Sequence, residues 1–593
     1  MDDPYQFVES LDERTLSYVN EKNEEFFKIY SKSSKNIMGK VAKYIQTKAV
    51  LQALVSGNTY AIMFRENNKY SVSLNDKIVY STDSVITWIS LSDDGKRLAV
   101  FETSGSDKGT AKILVGEKIV QEIKGNITQL VFTDDSYYLV KTYVEAPPPD
   151  GGELNSHRVI LNGEIVFGTG FGSTQFIHLL SSKGKIIADV GNWNESTIYS
   201  GDIHEPGSWK KLYDLDSPVE LVGIVNEKVC YLLKEGNGIL KIGENTVVDF
   251  QSPVENVILV KDGFVVSYLE EAKINVSLYD FTGKKIKDFP LKEPMGLLIS
   301  DSDEERAVMV FQSFGTPYSL WEYENSNLTM MEENRLLDLE IGDHFVQSTG
   351  ARIHYFLVNP KNHDGKKVLV TGYGGFNISL TPRYVPFYAT LLSEGITLAQ
   401  ANLRGGGEYG KKWHEDGMLE RKQNVFDDFI SVLDELKKHG YRIVAQGRSN
   451  GGLLVGAMVT QRPELLAGAV IGVPVLDMMR FHLMSVGKFW VTEFGNPENE
   501  EDVKVLMKYS PYHNITHREY PKTLIWGLWN DDRVHPAHGI KFHMKLSEYT
   551  GNAFLRIGMS GGHVGISPLE EIQMDSDMCG FILECLDTSA ERK

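Results

Sequence analysis

The chain has 593 residues, of which 42% are apolar and 24% charged. That composition excludes disordered and collagen-like chains, and at roughly 100–200 residues per domain the length requires more than one domain. Lys and Arg number 61 against 80 Asp and Glu, a net charge of −19, which argues against nucleic acid and anionic membrane surfaces as partners.

The three cysteines, Cys230, Cys579 and Cys585, are too few for a disulfide framework. No CxxC or Cys/His cluster suggests a metal, and no cofactor is expected. The opening MDDPYQFVESLDE is acidic and lacks the apolar core of a signal peptide. The longest nearly apolar stretch, 465–476, is too short to span a bilayer. The expectation is a cytoplasmic, monomeric, multidomain protein.

Residues 1–50 read as helical. Leu11, Leu16, Val19 and Phe26 recur at helix-like intervals, and Ser10 precedes Glu13 by a capping-box spacing. From about residue 51 the pattern changes to short strands and turns, and a repeat appears. Each copy is a polar turn followed by an apolar strand: SGNTYAIMF, SDDGKRLAVF, TDDSYYLVK, SSKGKIIAD, NEKVCYL, KDGFVVSY and SDEERAVMVF. Their last residues, from Phe64 to Phe311, are separated by 37, 40, 48, 43, 36 and 43 residues. The long interval holds a Pro/Gly-rich insertion, EAPPPDGG. Seven strand-rich copies at about 40-residue spacing predict a seven-bladed β-propeller over 51–330.

After about residue 330 strands alternate with helices. KKVLVTG, ITLAQANL, YRIVAQG, AGAVIGV, KTLIWGL and FLRIGM are short apolar runs separated by stretches such as VFDDFISVLDELKKHG. This predicts a mostly parallel, doubly wound sheet covered on both faces, with its site at the carboxyl ends of the strands.

GRSNG at 447–451 follows one such strand and opens a helical run. In strand–turn–helix context G-x-S-x-G is the nucleophile elbow of α/β-hydrolases, with Ser449 as nucleophile. A serine needs a positioned base, and in this fold the acid and then the histidine follow the serine in the chain. Asp531 and Asp532 end one strand, and His563 follows the next after a Gly-Gly approach. Spacing alone leaves Asp531 and Asp532 open. The other histidines lack this order. His535, His538 and His543 read as surface or capping residues beside a helix. The Asn450 amide, next after the nucleophile, is one expected oxyanion donor. The loop Tyr-Gly-Gly-Phe-Asn at 373–377 offers the second, as a backbone amide or as the Tyr373 hydroxyl.

Beyond these motifs, DPYQFVES, YGGFNISLTP, NLRGGGEYG, WHEDG, KQNVFDDF, GRSNGGLLV, YSPYHN and NDDRVHP resemble blocks of the prolyl oligopeptidase family, in family order and along the whole chain. The resemblance implies an α/β-hydrolase, 1–50 plus 331–593, with a propeller inserted between the two parts. It implies a Ser449–Asp531–His563 triad, with Tyr373 and Asn450 as oxyanion donors. It implies a proline slot of Phe376, Val475, Val486, Trp490, Phe494 and Val534, with Trp490 stacking on the ring and Arg533 binding the preceding carbonyl. The implied substrates are short proline-containing peptides. Two departures stand out: many relatives have Gly at the position of Arg448 and Tyr at that of Phe494. Arg448 is expected to point away from the nucleophile. Competing readings are a relative cleaving after basic residues or releasing acylated N-terminal residues, a catalytically dead scaffold, and a lipase or esterase.

Overall fold

The structure, a computed structural model, describes residues 3–363, 365–563 and 565–587. The assigned ranges 1–50 and 331–593 therefore include some residues outside the described ones.

Six antiparallel sheets occupy 49–334. Five are single blades of four strands in sequence order. The sixth has seven strands and holds two blades, joined through the long strand Lys118–Phe132. Its first half is the last strand of blade 2, and its second half is the first strand of blade 3. The strand changes direction at Gly125, whose φ is 143°. A side chain there would meet only the flexible end of Lys141, so backbone conformation demands the glycine. The result is seven blades.

The first strand of each blade touches that of the next, from blade 1 through blade 7 and back to blade 1. The ring therefore closes, but no strand is shared at the closure. Blade 1 (49–82) meets blade 7 (296–334) through Val50, Val55 and Phe64 packed on Val308, Val310 and Tyr318. The Val55 amide donates to Asp301 Oδ2 across the same seam at 2.8 Å. The seven repeat copies read from the sequence are the second strands of the seven blades.

The remaining sheet has eight strands: β1 (Leu339–Ser348), β2 (Ala351–Pro360), β3 (Lys367–Thr371), β4 (Thr397–Asn402), β5 (Arg442–Arg448), β6 (Gly468–Gly472), β7 (Lys522–Leu528) and β8 (Ala553–Gly558). Their order is β1-β2-β4-β3-β5-β6-β7-β8. β1 and β2 are antiparallel additions that the sequence reading did not identify; β3 to β8 are parallel and match the six predicted strands. The parallel core strands are buried along nearly their whole length, as coverage by helices on both faces requires.

Helix α1 (Glu13–Gln46) precedes the propeller in the chain yet packs on β8 and on the last helix, Pro568–Leu586. Its buried residues Val19, Asn23, Phe26, Tyr30 and Ser34 fall at helical spacing on one face. Gly580 lets the two helices approach, since a Cβ there would lie 2.8 Å from the Ser34 amide. The N-cap differs from the predicted capping box. Asp12 caps the helix by accepting the Thr15 amide at 2.9 Å, while Ser10 closes the preceding turn onto the Phe7 carbonyl. Among the described residues no helix is long and apolar enough to cross a membrane, and the three cysteines are free and buried.

Candidate active site

Ser449 stands at the tip of the turn between β5 and helix Asn450–Gln461, with φ 58° and ψ −119°. A non-glycine residue held at positive φ stores strain, which persists only where its surroundings enforce it. Here the Ser449 amide donates to the Gly472 carbonyl at 2.9 Å, and its carbonyl accepts the Leu453 amide. A side chain at Gly447 would collide with the Gly451 carbonyl. The serine side chain makes no capping bond to its own helix, so its oxygen stays available at the positive end of the dipole.

Asp531 follows β7 and is buried. Its Oδ1 accepts the amides of Arg533 at 3.0 Å and Val534 at 2.8 Å. Its Oδ2 lies 2.9 Å from His563 Nδ1. The carboxylate fixes the proton on Nδ1 and leaves Nε2 as the basic nitrogen. Asp532 turns the other way: its Oδ2 accepts the backbone amide of Asp107, in the propeller, at 3.0 Å. Between the two candidates, the structure thus brings Asp531 to the histidine.

Tyr373 follows β3, with its hydroxyl buried near Ser449. Burial pushes that hydroxyl up to about 12, so it remains a proton donor at neutral pH. The Asn450 side chain donates to the Tyr373 carbonyl at 2.7 Å, tying the glycine-rich loop to the elbow. The Asn450 backbone is buried at the first position of the helix.

The aromatic slot residues form one assembly. Phe376 meets Phe494 edge-on at 5.5 Å, Phe494 meets Phe481 in the same way, and Phe481 stacks against Trp490 at 6.4 Å. Val475 and Val534 are buried in the same core cluster, while Val486 is half-buried beside the turn Gly487–Trp490. Beneath the slot lies a charged cluster that the sequence reading missed. Glu493 accepts the Phe376 amide at 2.9 Å and a hydrogen bond from His414 at 2.8 Å. Lys422 lies 3.7 Å away and donates to the Gly374 carbonyl. Burial works against the Glu493 charge, but His414 and Lys422 outweigh it and hold the carboxylate below its usual range.

Arg533 forms a 2.7 Å ion pair with Asp107, so one arm of its guanidinium is engaged across the domain seam. Arg448, expected to point away from the nucleophile, is held by contacts outside the elbow. Its guanidinium donates to the His563 carbonyl and lies over the Trp526 ring. His538 and His543 correct an expectation: both are core residues. His538 accepts the Asp477 amide, and His543 bonds the Tyr18 hydroxyl. Burial lowers both to about 3.

The propeller also reaches the site. Trp193 meets Phe376 at 6.1 Å, and Phe176 meets Phe489 at 5.5 Å. No local sequence signal marks these residues, because the contacts join segments far apart in the chain.

A strained serine at a strand–helix elbow, an acid and a histidine after the last two strands of the sheet, and an inserted ring of seven blades define an α/β-hydrolase carrying a β-propeller. Residues 384–589 match the family model described as "Prolyl oligopeptidase family", and the chain carries a domain of that family. It is 35% identical over 330 residues to a prolyl endopeptidase of Dictyostelium discoideum, covering 51% of this chain and 43% of that protein. It is 33% identical over 345 residues to a prolyl endopeptidase of Elizabethkingia miricola, covering 54% and 48%. The aligned regions thus span less than half of these relatives. The fold resembles a structure from a study of two prolyl endopeptidases, with TM-score 0.90 at 24% identity over 99% of this chain and 97% of that one. It also resembles prolyl oligopeptidase B of Galerina marginata, with TM-score 0.88 at 19% identity over 99% and 96%.

Proposed function

We propose that the protein is a serine oligopeptidase that hydrolyses short peptides on the carboxyl side of proline. The observation that carries this reading is the His563–Asp531 hydrogen bond at 2.9 Å, set beside a strained Ser449 whose neighbour Tyr373 offers a hydroxyl. The relatives named prolyl endopeptidase support the substrate class.

In this mechanism Ser449 Oγ attacks the proline carbonyl carbon and its proton passes to His563 Nε2. Asp531 stabilises the imidazolium that forms. The oxyanion is held by the Tyr373 hydroxyl and the Asn450 amide. As the C–N bond breaks, His563 gives the proton to the leaving amine. Water then attacks the acyl ester, with His563 again as base. Trp490 stacks on the proline ring in an apolar slot with Phe376, Val475, Val486, Phe494 and Val534, and the free arm of Arg533 binds the preceding carbonyl. The slot suits a flat uncharged ring. It does not suit an arginine, since the nearby acid Glu493 is already occupied by His414 and the Phe376 amide.

The propeller (51–330) is proposed as a filter between the hydrolase parts 1–50 and 331–593. A ring over the strand ends excludes folded proteins and admits flexible peptides. Polar contacts such as Arg65–Glu571 and Arg533–Asp107 make up part of the seam, and a polar seam permits the domains to part. A disulfide across the seam that left turnover unchanged would count against opening as the entry route. The free cysteines suit a reducing, cytoplasmic setting, with the protein acting as a monomer.

The test is a panel of short peptides differing only in the residue before the scissile bond: Pro, Ala, Arg or Phe. Preference for Pro is expected. Preference for Arg would refute the reading.

A further inference from the structure

Phe376 has a second face. Beyond the slot it borders a cavity of about 540 Å³ between the propeller and the hydrolase loops, lined also by Trp193, His178, Asp189, Glu255 and Lys234. Asp189 is 7% exposed, and its Oδ1 has no hydrogen-bond partner. The carboxylate's polar neighbour is the Ser196 hydroxyl, which carries no charge, so a buried acid here gains from a cationic counter-group. The cavity's own cations do not supply one. Lys234 is paired with Glu220 at 2.7 Å, and Lys411, also in the wall, donates to Ser217. His178 lies opposite Asp189 on the neighbouring strand, but its side chain is exposed, and exposed pairs contribute little. Glu255, which accepts the Ser379 hydroxyl, adds a second acid. Trp193, 44% exposed, presents a π-surface of the kind that flanks cations.

We propose that this cavity is a subsite for a cationic group of the bound peptide, with Asp189 as its acceptor and Trp193 as its wall. The group is a lysine or arginine side chain or the peptide's own α-ammonium. The inference rests on the proposed proline slot, because Phe376 is the wall that the slot and the cavity share. Burial pushes Asp189 up to about 7. An arriving cation favours the ionised form and so strengthens its own binding.

The experiment uses the full chain carrying Ser449→Ala, so that binding is read without cleavage. Fluorescent hexapeptides with one proline are N-acetylated, and lysine or norleucine is placed in turn at each other position. A parallel set keeps the free amino terminus. A hydrogen bond to a charged group predicts about tenfold to a hundredfold tighter binding for lysine at one position, or for the free amine over its acetylated form. Asp189→Asn should bring that ratio close to one, and Asp189→Ser serves the same comparison if the amide variant does not fold. The two arms separate a side chain from an amino terminus. Ratios below about twofold at every position, or a ratio that survives both variants, would overturn the proposal. Replacing proline by alanine tests the slot separately: equal binding there would undo the proline reading while leaving the lysine ratio readable.

Discussion

Replacing Tyr373 by phenylalanine isolates one hydroxyl. The ring keeps its packing, and the carbonyl of residue 373 still accepts the Asn450 side chain. What disappears is the donor beside Ser449, which its high pKa keeps protonated at neutral pH. In the ground state the substrate carbonyl is a weak acceptor. In the tetrahedral intermediate the oxygen carries a full charge, so the loss falls mainly on the transition state. Removing one such donor costs roughly 3–4 kcal/mol, a fall of about a hundredfold to a thousandfold in kcat. The assay is continuous hydrolysis of a chromogenic proline amide, with kcat and KM determined separately and the melting temperature as a folding control. The expected result is a large fall in kcat with KM little changed. A kcat within about threefold of the parent would place the donor elsewhere. A rise in KM alone would make Tyr373 a ground-state contact.

Three other perturbations follow. Arg448→Ala removes the donor to the His563 carbonyl and is expected to lower kcat about tenfold. Peptide affinity, measured with Ser449→Ala also present, should hold; unchanged kcat would show that the loop needs no such anchor. Glu493→Gln leaves Lys422 and His414 buried without their carboxylate, for an expected stability loss of about 3–5 kcal/mol in denaturant melts; a loss below about 1 would contradict that cluster. Burial pushes Asp301 up to about 7. Its carboxyl therefore holds a proton in the folded chain that the unfolded chain has released, and stability falls as pH rises from about 4 to about 7. Asp301→Asn should flatten that slope, and melts at about pH 5 and about pH 8 that shift in parallel with the parent would show otherwise.

The repeat was legible because the second strand of each blade has a buried apolar run, which in Lys185–Gly191 and Arg306–Ser313 fills nearly the whole strand. The outermost strands, such as Lys210–Leu215 and Lys285–Phe289, are largely exposed and carry no continuous apolar run. Their boundaries were therefore unreadable. Ser449 and His563 stood out because both follow apolar strands. The choice between Asp531 and Asp532 did not, since it depends on which neighbour faces the histidine and which faces Asp107. His538 and His543 were misread because their helix is buried almost all round. Trp193, Phe176 and Glu493 escaped notice because their partners lie in distant segments.

The central claim is that Ser449 carries the peptide's proline acyl group. It is tested most directly by quenching the protein with acid during turnover of an activated peptidyl-proline ester, so that the acyl-enzyme accumulates. Proteolytic mapping by mass spectrometry should then place the peptidyl-proline mass on the fragment containing Ser449. No adduct, or an adduct on another residue, would contradict the account.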